Sequence, residues 1–417
     1  MITGGTAFAQ FINIIISPII TRLYTPDEYG ILSVYISVVG MITIVGSFMY
    51  ELAIPIADDE DATINIIALC ILILITLSIL ITVIMTMMGD PILRLLDADV
   101  LLNYRLLIPV GVFFTGLYTI FIQFAYRNKS FKTIGKTKGY QSLSQGVVQI
   151  AYPFVFTGPI GLISGRIIGQ SAGFLSLAKP LLVNYSENIK KISLKSISVL
   201  AKKYIRFPLY LMPSQFLNTA SIHIPVLFLG ALFDGSVVGF YGLANSMVNL
   251  PMTILGKSVA DVFYSEAASI GRINPKKLKK LSRKILKQLV LIGLVPLVTL
   301  LLFGPFLFSC VFGEKWYDAG VFSRAIAIMV FARFIFTPVS KIYVVFERQK
   351  ESLYLNILRI ILAVGVFLIT KRVSSTPFQT IFLYSLSMAL VYFITFVGAQ
   401  KIIDSEIKRV SEINNYR

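Results

Sequence analysis

Basic side chains lie inside segments of this sequence that are otherwise apolar enough to cross a membrane. Acidic side chains are scarce in the same segments, with Asp261 well inside one and Glu51 at an edge. A charge at the bilayer centre costs about 2.5–3.5 kcal/mol, so each of these groups should face a cavity or a neighbouring helix. An excess of positive charge along such a cavity favours an anionic ligand. The basic residues are Arg166, Lys257, Arg324, Arg333 and Arg359.

Arg333 is the best single candidate for contact with an anionic ligand. It lies near the middle of a predicted span at 320–342, farthest from either membrane surface. The alternative is a structural partner on a neighbouring helix. Lys257 and Asp261 share a helix face, so they either serve a ligand and a coupling ion or neutralise each other. Arg22 ends the first span at the outer face, where it contacts lipid headgroups or lines the mouth of a cavity.

The composition identifies the elements that must position these groups. Of the 417 residues, 56% are hydrophobic and 14% are charged, and the mean hydropathy is +0.79. The chain is therefore predicted to be an all-α, polytopic membrane protein. Twelve apolar segments have about the 17–25 residues that a tilted helix needs to cross a bilayer. They are 4–23, 30–50, 63–88, 105–126, 139–158, 160–183, 208–231, 236–262, 287–310, 320–342, 352–370 and 378–400.

The basic residues are distributed unevenly between the two ends of these spans. Most of the 38 Lys and Arg residues lie on the side that carries both termini, which the positive-inside rule assigns to the cytoplasm. The net charge of +17 thus indicates topology and attraction to anionic lipids, and we expect no nucleic-acid partner. The start of the chain lacks the features of a signal peptide, so the first apolar segment is expected to stay as a membrane helix.

Enzymatic chemistry has little support in the sequence. The chain has one histidine, His223, and its two cysteines, Cys70 and Cys310, are far apart and within spans, so no metal site or disulfide is predicted. No Walker loop, GxSxG or HExxH motif occurs. The acidic run DDED (58–61) could hold a metal with a nucleotide-sugar, but a solvated turn is the better interpretation. We expect no cofactor and no catalytic residue.

A strip of glycines spaced every four residues follows one side of the sixth span. Gly161, Gly165, Gly169 and Gly173 would let a neighbouring helix approach closely. Packing within the chain explains this strip better than dimerisation does. The adjacent Arg166 should then point toward a neighbouring helix.

The two halves of the chain repeat a similar pattern. Asn13 and Gly30 in the first two spans have counterparts in Asn218 and Gly239 in the seventh and eighth. Because six is an even number of spans, such halves would be related by an axis along the membrane normal, as in transporters that bind cargo between two lobes. We predict a six-helix lobe at 1–183, a basic cytoplasmic linker at 184–207, a six-helix lobe at 208–400 and a cytoplasmic tail at 401–417.

Six segments, by their order and spacing, resemble one family of membrane proteins. They are similar over essentially the whole chain to the polysaccharide-biosynthesis, O-antigen-type flippases of the multidrug/oligosaccharidyl-lipid/polysaccharide exporter superfamily. The segments are TRLYTPDEYGILS (21–33), YELAIPIADDEDA (50–62), GLISGRIIGQ (161–170), YIRFPLYLMPS (204–214), GFYGLANSMVNLP (239–251) and FGEKWYDAG (312–320).

The resemblance implies a twelve-helix, two-lobed fold in the cell membrane of a bacterium or archaeon. The implied cargo is an undecaprenyl-pyrophosphate-linked oligosaccharide, the repeat unit of an O-antigen, capsule or exopolysaccharide, moved from the inner to the outer leaflet. Glycosyltransferases and a polymerase of the same pathway would be partners, besides membrane lipids. One alternative is a multidrug exporter, disfavoured because residues 4–23 contain no acidic side chain. The other is a membrane-embedded polymerase or ligase, disfavoured because the longest outer loop, 89–104, is short.

The side chains expected to bind the cargo follow from this implication. A pyrophosphate is anionic and sugars need amide and hydroxyl partners, so basic residues and the amides of the first, seventh and eighth spans would form the head-group site. Asn245 and Asn249 share a helix face. The predicted substrate-binding residues are Arg333, Arg22, Lys257, Asn13, Asn218, His223, Asn245 and Asn249, with Gln10 beside them. The predicted candidates for ion coupling are Asp261 and Glu51.

Overall fold

The computed structural model describes residues 2–184, 190–250, 255–271 and 274–415. These residues form helices and turns without a strand, so the predicted all-α fold is confirmed. The described α-helices longer than about one turn are α1 (Ile2–Leu23), α2 (Pro26–Thr43), α3 (Glu60–Leu95), α4 (Leu107–Arg127), α5 (Phe131–Ala151), α6 (Ile160–Ser171), α7 (Phe174–Asn184), α8 (Leu194–Lys203), α9 (Met212–Leu232), α10 (Gly235–Val248), α11 (Lys257–Ile270), α12 (Pro275–Phe312), α13 (Tyr317–Phe336), α14 (Gln349–Arg372) and α15 (Pro377–Asn415).

Nine helical segments in the described part of the chain are long and apolar enough to cross a membrane. They belong to α1, α3, α4, α6 with α7, α9, α12, α13, α14 and α15. The other three predicted spans correspond to α2, to α5, and to α10 with α11. α5 begins at Phe131, before the predicted span, and so includes Lys132 and Lys136, which lower its hydropathy. The arrangement is consistent with twelve membrane helices.

Two of the predicted spans are interrupted or shortened by a glycine or a proline. α6 and α7 are separated at Gly173, whose φ of +91° is accessible mainly to glycine. α13 ends at Phe336 because Pro338 has no amide hydrogen to continue the helical hydrogen bonds, and a 3₁₀ turn at Val339–Lys341 follows. Arg333 therefore lies in the last turn of a helix and not at the middle of a continuous span.

The chain divides into two compact units, residues 1–239 and 240–417, as the predicted two-lobed fold requires. In the first unit α5 packs against both α1 and α6, and α9 packs against α2. α1 and α5 meet at Gly5 and Gly135, where a Cβ on Gly5 would overlap the backbone of Gly135. The lobe boundaries and the linker at 184–207 stay predictions.

The glycine strip of α6 packs within the chain, as the sequence predicts. A Cβ on Gly169 would lie 2.8 Å from Cβ of Gln145, and one on Gly165 would overlap the side chain of Gln149. Both glutamines belong to α5. Because these glycines face α5 so closely, they set the rotation of α6 and thereby the direction of Arg166.

The acidic run at 58–61 lies at the start of α3, where Asp58 and Asp59 form an exposed turn and Glu60 and Asp61 are the first residues of the helix. Asp58 pairs with Lys203, and this hydrogen bond raises the pKa of the Lys203 ammonium. Asp61 pairs with Lys191 at 3.0 Å. The two pairs connect this acidic run to the segment that contains α8. Their solvent exposure means that they contribute little to stability.

In the second unit α13 packs against α12 and α15. α12 and α13 cross at small residues, since a Cβ on Gly320 would lie 2.5 Å from Cα of Pro305. A separate apolar core includes Phe263, Leu289 and Val339. An apolar cavity of about 310 Å³ lies between α10, α12 and α13.

Candidate functional site

A polar cavity of about 210 Å³ lies within the first unit, between α2, α4, α6 and α9. Its polar groups are a guanidinium, an amide, an imidazole and two hydroxyls, and none of the described residues that line it is acidic. Such a set can neutralise an anion and can exchange hydrogen bonds with sugar hydroxyls. The lining residues are Tyr35, Ile36, Val39 and Gly40 of α2, Gly111 and Thr115 of α4, Arg166, Ile167 and Gln170 of α6, and His223 of α9.

Arg166 is oriented in this cavity by amide groups of α5. Its Nη1 donates a hydrogen bond of 3.4 Å to Oε1 of Gln145, whose Nε2 lies 3.4 Å from Oε1 of Gln149. Gln149 donates a hydrogen bond of 3.0 Å to the carbonyl oxygen of Leu162. Among the described residues, Gln145 is the one hydrogen-bond partner of the Arg166 guanidinium, so its remaining donors are available to a ligand.

Tyr35 closes the wall of the cavity between α2 and α4. Its hydroxyl donates a hydrogen bond of 3.0 Å to the carbonyl oxygen of Leu107. The ring crosses α4 at Gly111, where any Cβ would overlap the phenolic oxygen. Tyr35 is 1% exposed and lies within electrostatic range of Arg166. The missing side chain of Gly111 is therefore what allows this wall to form.

His223 contributes an imidazole from α9. Its Nδ1 lies 3.2 Å from Oγ of Ser37, and that hydroxyl donates to the carbonyl oxygen of Ser33 at 2.9 Å. Ser37 is thus the acceptor, which assigns the proton to Nδ1 and leaves Nε2 as an acceptor in the neutral ring. Nε2 lies against Gly40, 2.8 Å from where a Cβ would stand. His223 thus forms a hydrogen bond between α9 and α2, and its role in binding cargo stays a prediction.

The other predicted binding residues of the first unit do not line this cavity. Arg22 is exposed in the last turn of α1, and Asn13 is half-buried on the same helix. Asn218 is half-buried on α9, and its carbonyl oxygen accepts a hydrogen bond of 2.7 Å from Ser221. The structure therefore brings His223 together with Arg166, and it leaves the other three as unassigned polar groups.

A second group of cationic and aromatic side chains lies in the second unit. Arg333 and Arg359 are both within electrostatic range of the Tyr384 hydroxyl. The Arg359 guanidinium stacks over the Tyr392 ring at 5.1 Å, and its Nε is buried without a hydrogen-bond partner among the described residues. Arg333 is half-buried. This group gives the second unit a cationic patch on α13 and α14.

The two predicted asparagines of the eighth span contact each other. Nδ2 of Asn249 donates a hydrogen bond of 2.8 Å to Oδ1 of Asn245, which confirms that they share a face. Oδ1 of Asn249 is buried and has no hydrogen-bond partner among the described residues. An amide in this state is suited to accept a hydrogen bond from a ligand hydroxyl.

The candidates for ion coupling have different surroundings. Asp261 is exposed on α11, and the side chain of Lys257 falls outside the described residues, so their predicted pairing stays a prediction. Glu51 is 5% exposed and accepts a hydrogen bond from the Ser47 hydroxyl. It lies in a 3₁₀ turn, Tyr50–Ile56, outside the nine candidate spans, and burial raises the pKa of its carboxyl.

The sequence identifies Arg166 as an intramembrane cation but does not select it over Arg333. Its companions Gln170, Tyr35 and Thr115 carry no signal of their own, since single polar residues recur on many of these helices. The usable signal was the glycine strip beside Arg166, which indicated that this arginine faces protein.

Comparisons with known proteins identify the family to which this sequence is similar. The sequence model of a family described as polysaccharide biosynthesis protein matches residues 19–320. The teichuronic acid biosynthesis protein TuaB of Bacillus subtilis (strain 168) is 22% identical over 153 residues, which span 37% of this chain and 32% of that protein.

Two solved structures show the fold. An inward-facing multidrug resistance MATE family transporter of the MOP superfamily superposes with a TM-score of 0.79 at 16% identity, covering 96% of each chain. A MOP superfamily transporter from Pyrococcus furiosus, whose binding pocket is described as having reverse polarity, superposes with a TM-score of 0.62 at 16% identity, covering 97% of this chain and 94% of that one.

Proposed function

Because this chain belongs to the polysaccharide biosynthesis protein family and has the fold of MOP superfamily transporters, we propose that it is a flippase for lipid-linked oligosaccharides. Its cargo is an undecaprenyl-pyrophosphate-linked repeat unit, moved from the inner to the outer leaflet for assembly of a surface polysaccharide. The product is an O-antigen, a capsule or an exopolysaccharide. Similarity to a teichuronic acid biosynthesis protein adds polymers of that kind to the set.

The observation that carries this proposal is the polar cavity of the first unit. It combines Arg166, Gln170 and His223 with two hydroxyl groups, and no acidic residue stands among its described lining residues. A pyrophosphate or an acidic sugar is negatively charged. A guanidinium group can donate two parallel hydrogen bonds to two oxygens of one phosphate or carboxylate. Amide and imidazole groups supply the donors and acceptors that sugar hydroxyls require. The cavity thus has the chemistry of a glycan head-group site.

The polyprenyl tail can stay in lipid while the polar head crosses. We infer that the two halves alternate access to the head group, with both termini in the cytoplasm as the distribution of basic residues predicts. Glycosidic bonds are then made by other proteins, so glycosyltransferases and a polymerase of the same pathway are the expected partners. The cationic patch around Arg333 in the second unit is a separate candidate for contact with the pyrophosphate.

A multidrug exporter of the same superfamily is the second candidate, because the fold is shared with a MATE transporter. Two features argue against it. The described part of α1 contains no acidic side chain, and the polar cavity carries Arg166 in place of a carboxylate. A cavity of this charge repels the organic cations that such exporters commonly carry.

Deletion of the gene in its native cell tests the proposal. The lipid-linked repeat unit should be complete but confined to the cytoplasmic leaflet, where enzymes added outside cannot reach it. Deletion of the polymerase is the matched control, because it should leave the same unit accessible from outside. A repeat unit that lacks a sugar would indicate a transferase. Unchanged outward exposure together with retention of a cationic dye would indicate a drug exporter.

A further inference from the structure

An open groove lies on the first unit between α1 and α5. Its volume is about 470 Å³, and none of its lining residues also lines the polar cavity around Arg166. We name it the α1/α5 groove. It is lined by Gly5 and Phe8 of α1 and by Lys132, Gly135, Lys136, Gly139, Tyr140 and Leu143 of α5.

Glycines and exposed apolar side chains give the groove its shape. A Cβ on Gly139 would stand 3.5 Å from ring carbons of Phe8, which is ordinary van der Waals contact, so any larger side chain at this position would extend into the groove. Phe8, Tyr140 and Leu143 are 55%, 54% and 44% exposed. These side chains form apolar walls that the described part of the chain leaves exposed.

Two lysines stand at one end of the groove. Lys132 and Lys136 are exposed and four residues apart on one face of α5, within its first two turns. Neither has an ion pair or a hydrogen bond in the part of the chain that the structure describes, and no acidic side chain lines the groove. The groove therefore has a cationic end and an apolar body.

We propose that the α1/α5 groove binds one anionic phospholipid, with its phosphate between Lys132 and Lys136 and an acyl chain along Phe8 and Leu143. The charge of the two lysines selects an anionic headgroup, and the apolar walls require a tail. The segment with the lysines belongs to the side that the positive-inside rule assigns to the cytoplasm, so the lipid would come from the inner leaflet.

The geometry favours a resident lipid over the transported cargo. α1 and α5 are in backbone contact at Gly5 and Gly135, so a glycan has no room to pass between these helices. The residues that line the groove and those that line the polar cavity do not overlap. A lipid lodged here would stabilise the α1–α5 pair without being carried.

Native mass spectrometry of the full-length protein in detergent tests this site. Phosphatidylglycerol, phosphatidylcholine, undecaprenyl phosphate and inorganic phosphate are titrated separately. We expect phosphatidylglycerol to bind with one-to-one stoichiometry and more tightly than phosphatidylcholine. The double variant Lys132→Gln/Lys136→Gln should bind it roughly thirtyfold more weakly, since each lysine near an anionic lipid contributes about fivefold.

Two further variants separate the groove from general surface charge. Lys195→Gln/Lys202→Gln removes two exposed lysines of α8 and should leave phosphatidylglycerol binding within about twofold of wild type. Gly139→Leu fills the groove but keeps both lysines, and it should abolish the one-to-one complex; Gly139→Ala is the milder step if the larger side chain lowers expression.

Several results would overturn the proposal. They are equal binding of phosphatidylglycerol and phosphatidylcholine, an unchanged affinity in the Lys132/Lys136 variant or with Gly139 filled, and displacement of the lipid by inorganic phosphate alone. Preferential binding of undecaprenyl phosphate would reassign the groove to the cargo. Because lipid binding is measured without transport, failure of this proposal is distinguishable from failure of the proposed function.

Discussion

Nη1 of Arg166 lies 3.4 Å from Oε1 of Gln145, so an amide of α5 orients the guanidinium that faces the polar cavity of the first unit. Gln145 is in turn positioned by Gln149. The cation and its support therefore come from different helices, and the cavity depends on the packing of α5 against α6.

Arg166→Gln should strongly reduce export while leaving the amount of protein in the membrane unchanged. Loss of one partner of a buried charged hydrogen bond costs on the order of 2–5 kcal/mol, which corresponds to at least tenfold in transport rate. Arg166→Lys should restore part of the activity, because lysine keeps the positive charge but lacks the planar guanidinium that donates two hydrogen bonds to one anionic group. Export is measured as surface polymer per cell, with Arg372→Gln as a control for loss of an exposed basic residue.

Gln145→Leu should give an intermediate defect that is not additive with Arg166→Gln. If Gln145 acts by orienting Arg166, its substitution has little further effect once the arginine is gone. A double-mutant cycle on export rate measures this coupling. Fully additive losses would show that the two residues act separately.

Arg333 stays a predicted contact for the cargo pyrophosphate, although it lies in the last turn of α13. A cation there also stabilises the helix C-terminus by about 0.3–1 kcal/mol, so Arg333→Ala alone does not separate the two roles. Arg333→Lys separates the two roles, because lysine keeps the charge that stabilises the end of α13. We expect normal thermal stability and reduced export for Arg333→Lys. Wild-type export by an abundant Arg333→Ala protein would exclude the binding role.

Gly239→Ala should destabilise the protein. The added methyl group would overlap the carbonyl oxygen of Pro26, where the start of α10 crosses α2, and a backbone atom cannot rotate aside. Overpacking of this kind costs about 1–3 kcal/mol. Gly365→Ala in α14 is the matched control, because no atom lies within 4 Å of its Cβ position. The melting temperature is measured on the purified protein. An unchanged value in Gly239→Ala would contradict the close contact between α10 and α2 at this glycine.

Single cysteines can test the predicted orientation. Ser282 belongs to the predicted cytoplasmic side but is fully buried, so it is unsuitable for labelling, whereas Ser405 and Asp318 are exposed. In a background with Cys70 and Cys310 replaced by alanine, Asp318→Cys should react with an impermeant reagent in intact cells and Ser405→Cys should react only after lysis. The reverse pattern would invert the topology.

Much of the fold could be predicted from composition and from the length of apolar segments, because membrane crossing imposes both. The rotation of each helix could not be predicted, since it depends on long-range packing. Gly30 and Gly239 were recognised as equivalent positions in the two halves, yet a Cβ on Gly30 would also lie 3.2 Å from the Gly239 amide, a contact that no local pattern reveals. For the same reason Asn13 and Asn218 do not reach the polar cavity, whereas Arg166 does.

The depth of Arg333 in the membrane illustrates a second limit. The predicted span runs to residue 342 and so extends past Phe336, where the regular helix stops. Pro338 ends that helix locally, and an average over many residues does not detect a single missing donor. Likewise, α12 begins within the basic segment that hydropathy assigned to a loop.

α12 runs for 38 residues, which at 1.5 Å per residue is about 57 Å, nearly twice the thickness of a ~30 Å hydrocarbon core. The basic residues of 276–287 thus stand on a rod, and Lys279 pairs with Asp404 of α15, so two projecting helices are joined beyond the bilayer. Because these basic residues belong to one helix, the distance of each from the bilayer is set by the position and tilt of that helix. Tilting it changes how many of these charges come within about 8 Å, one Debye length, of an anionic leaflet. The tilt of α12 relative to the membrane normal is consequently expected to depend on the surface potential of the leaflet and on the salt concentration.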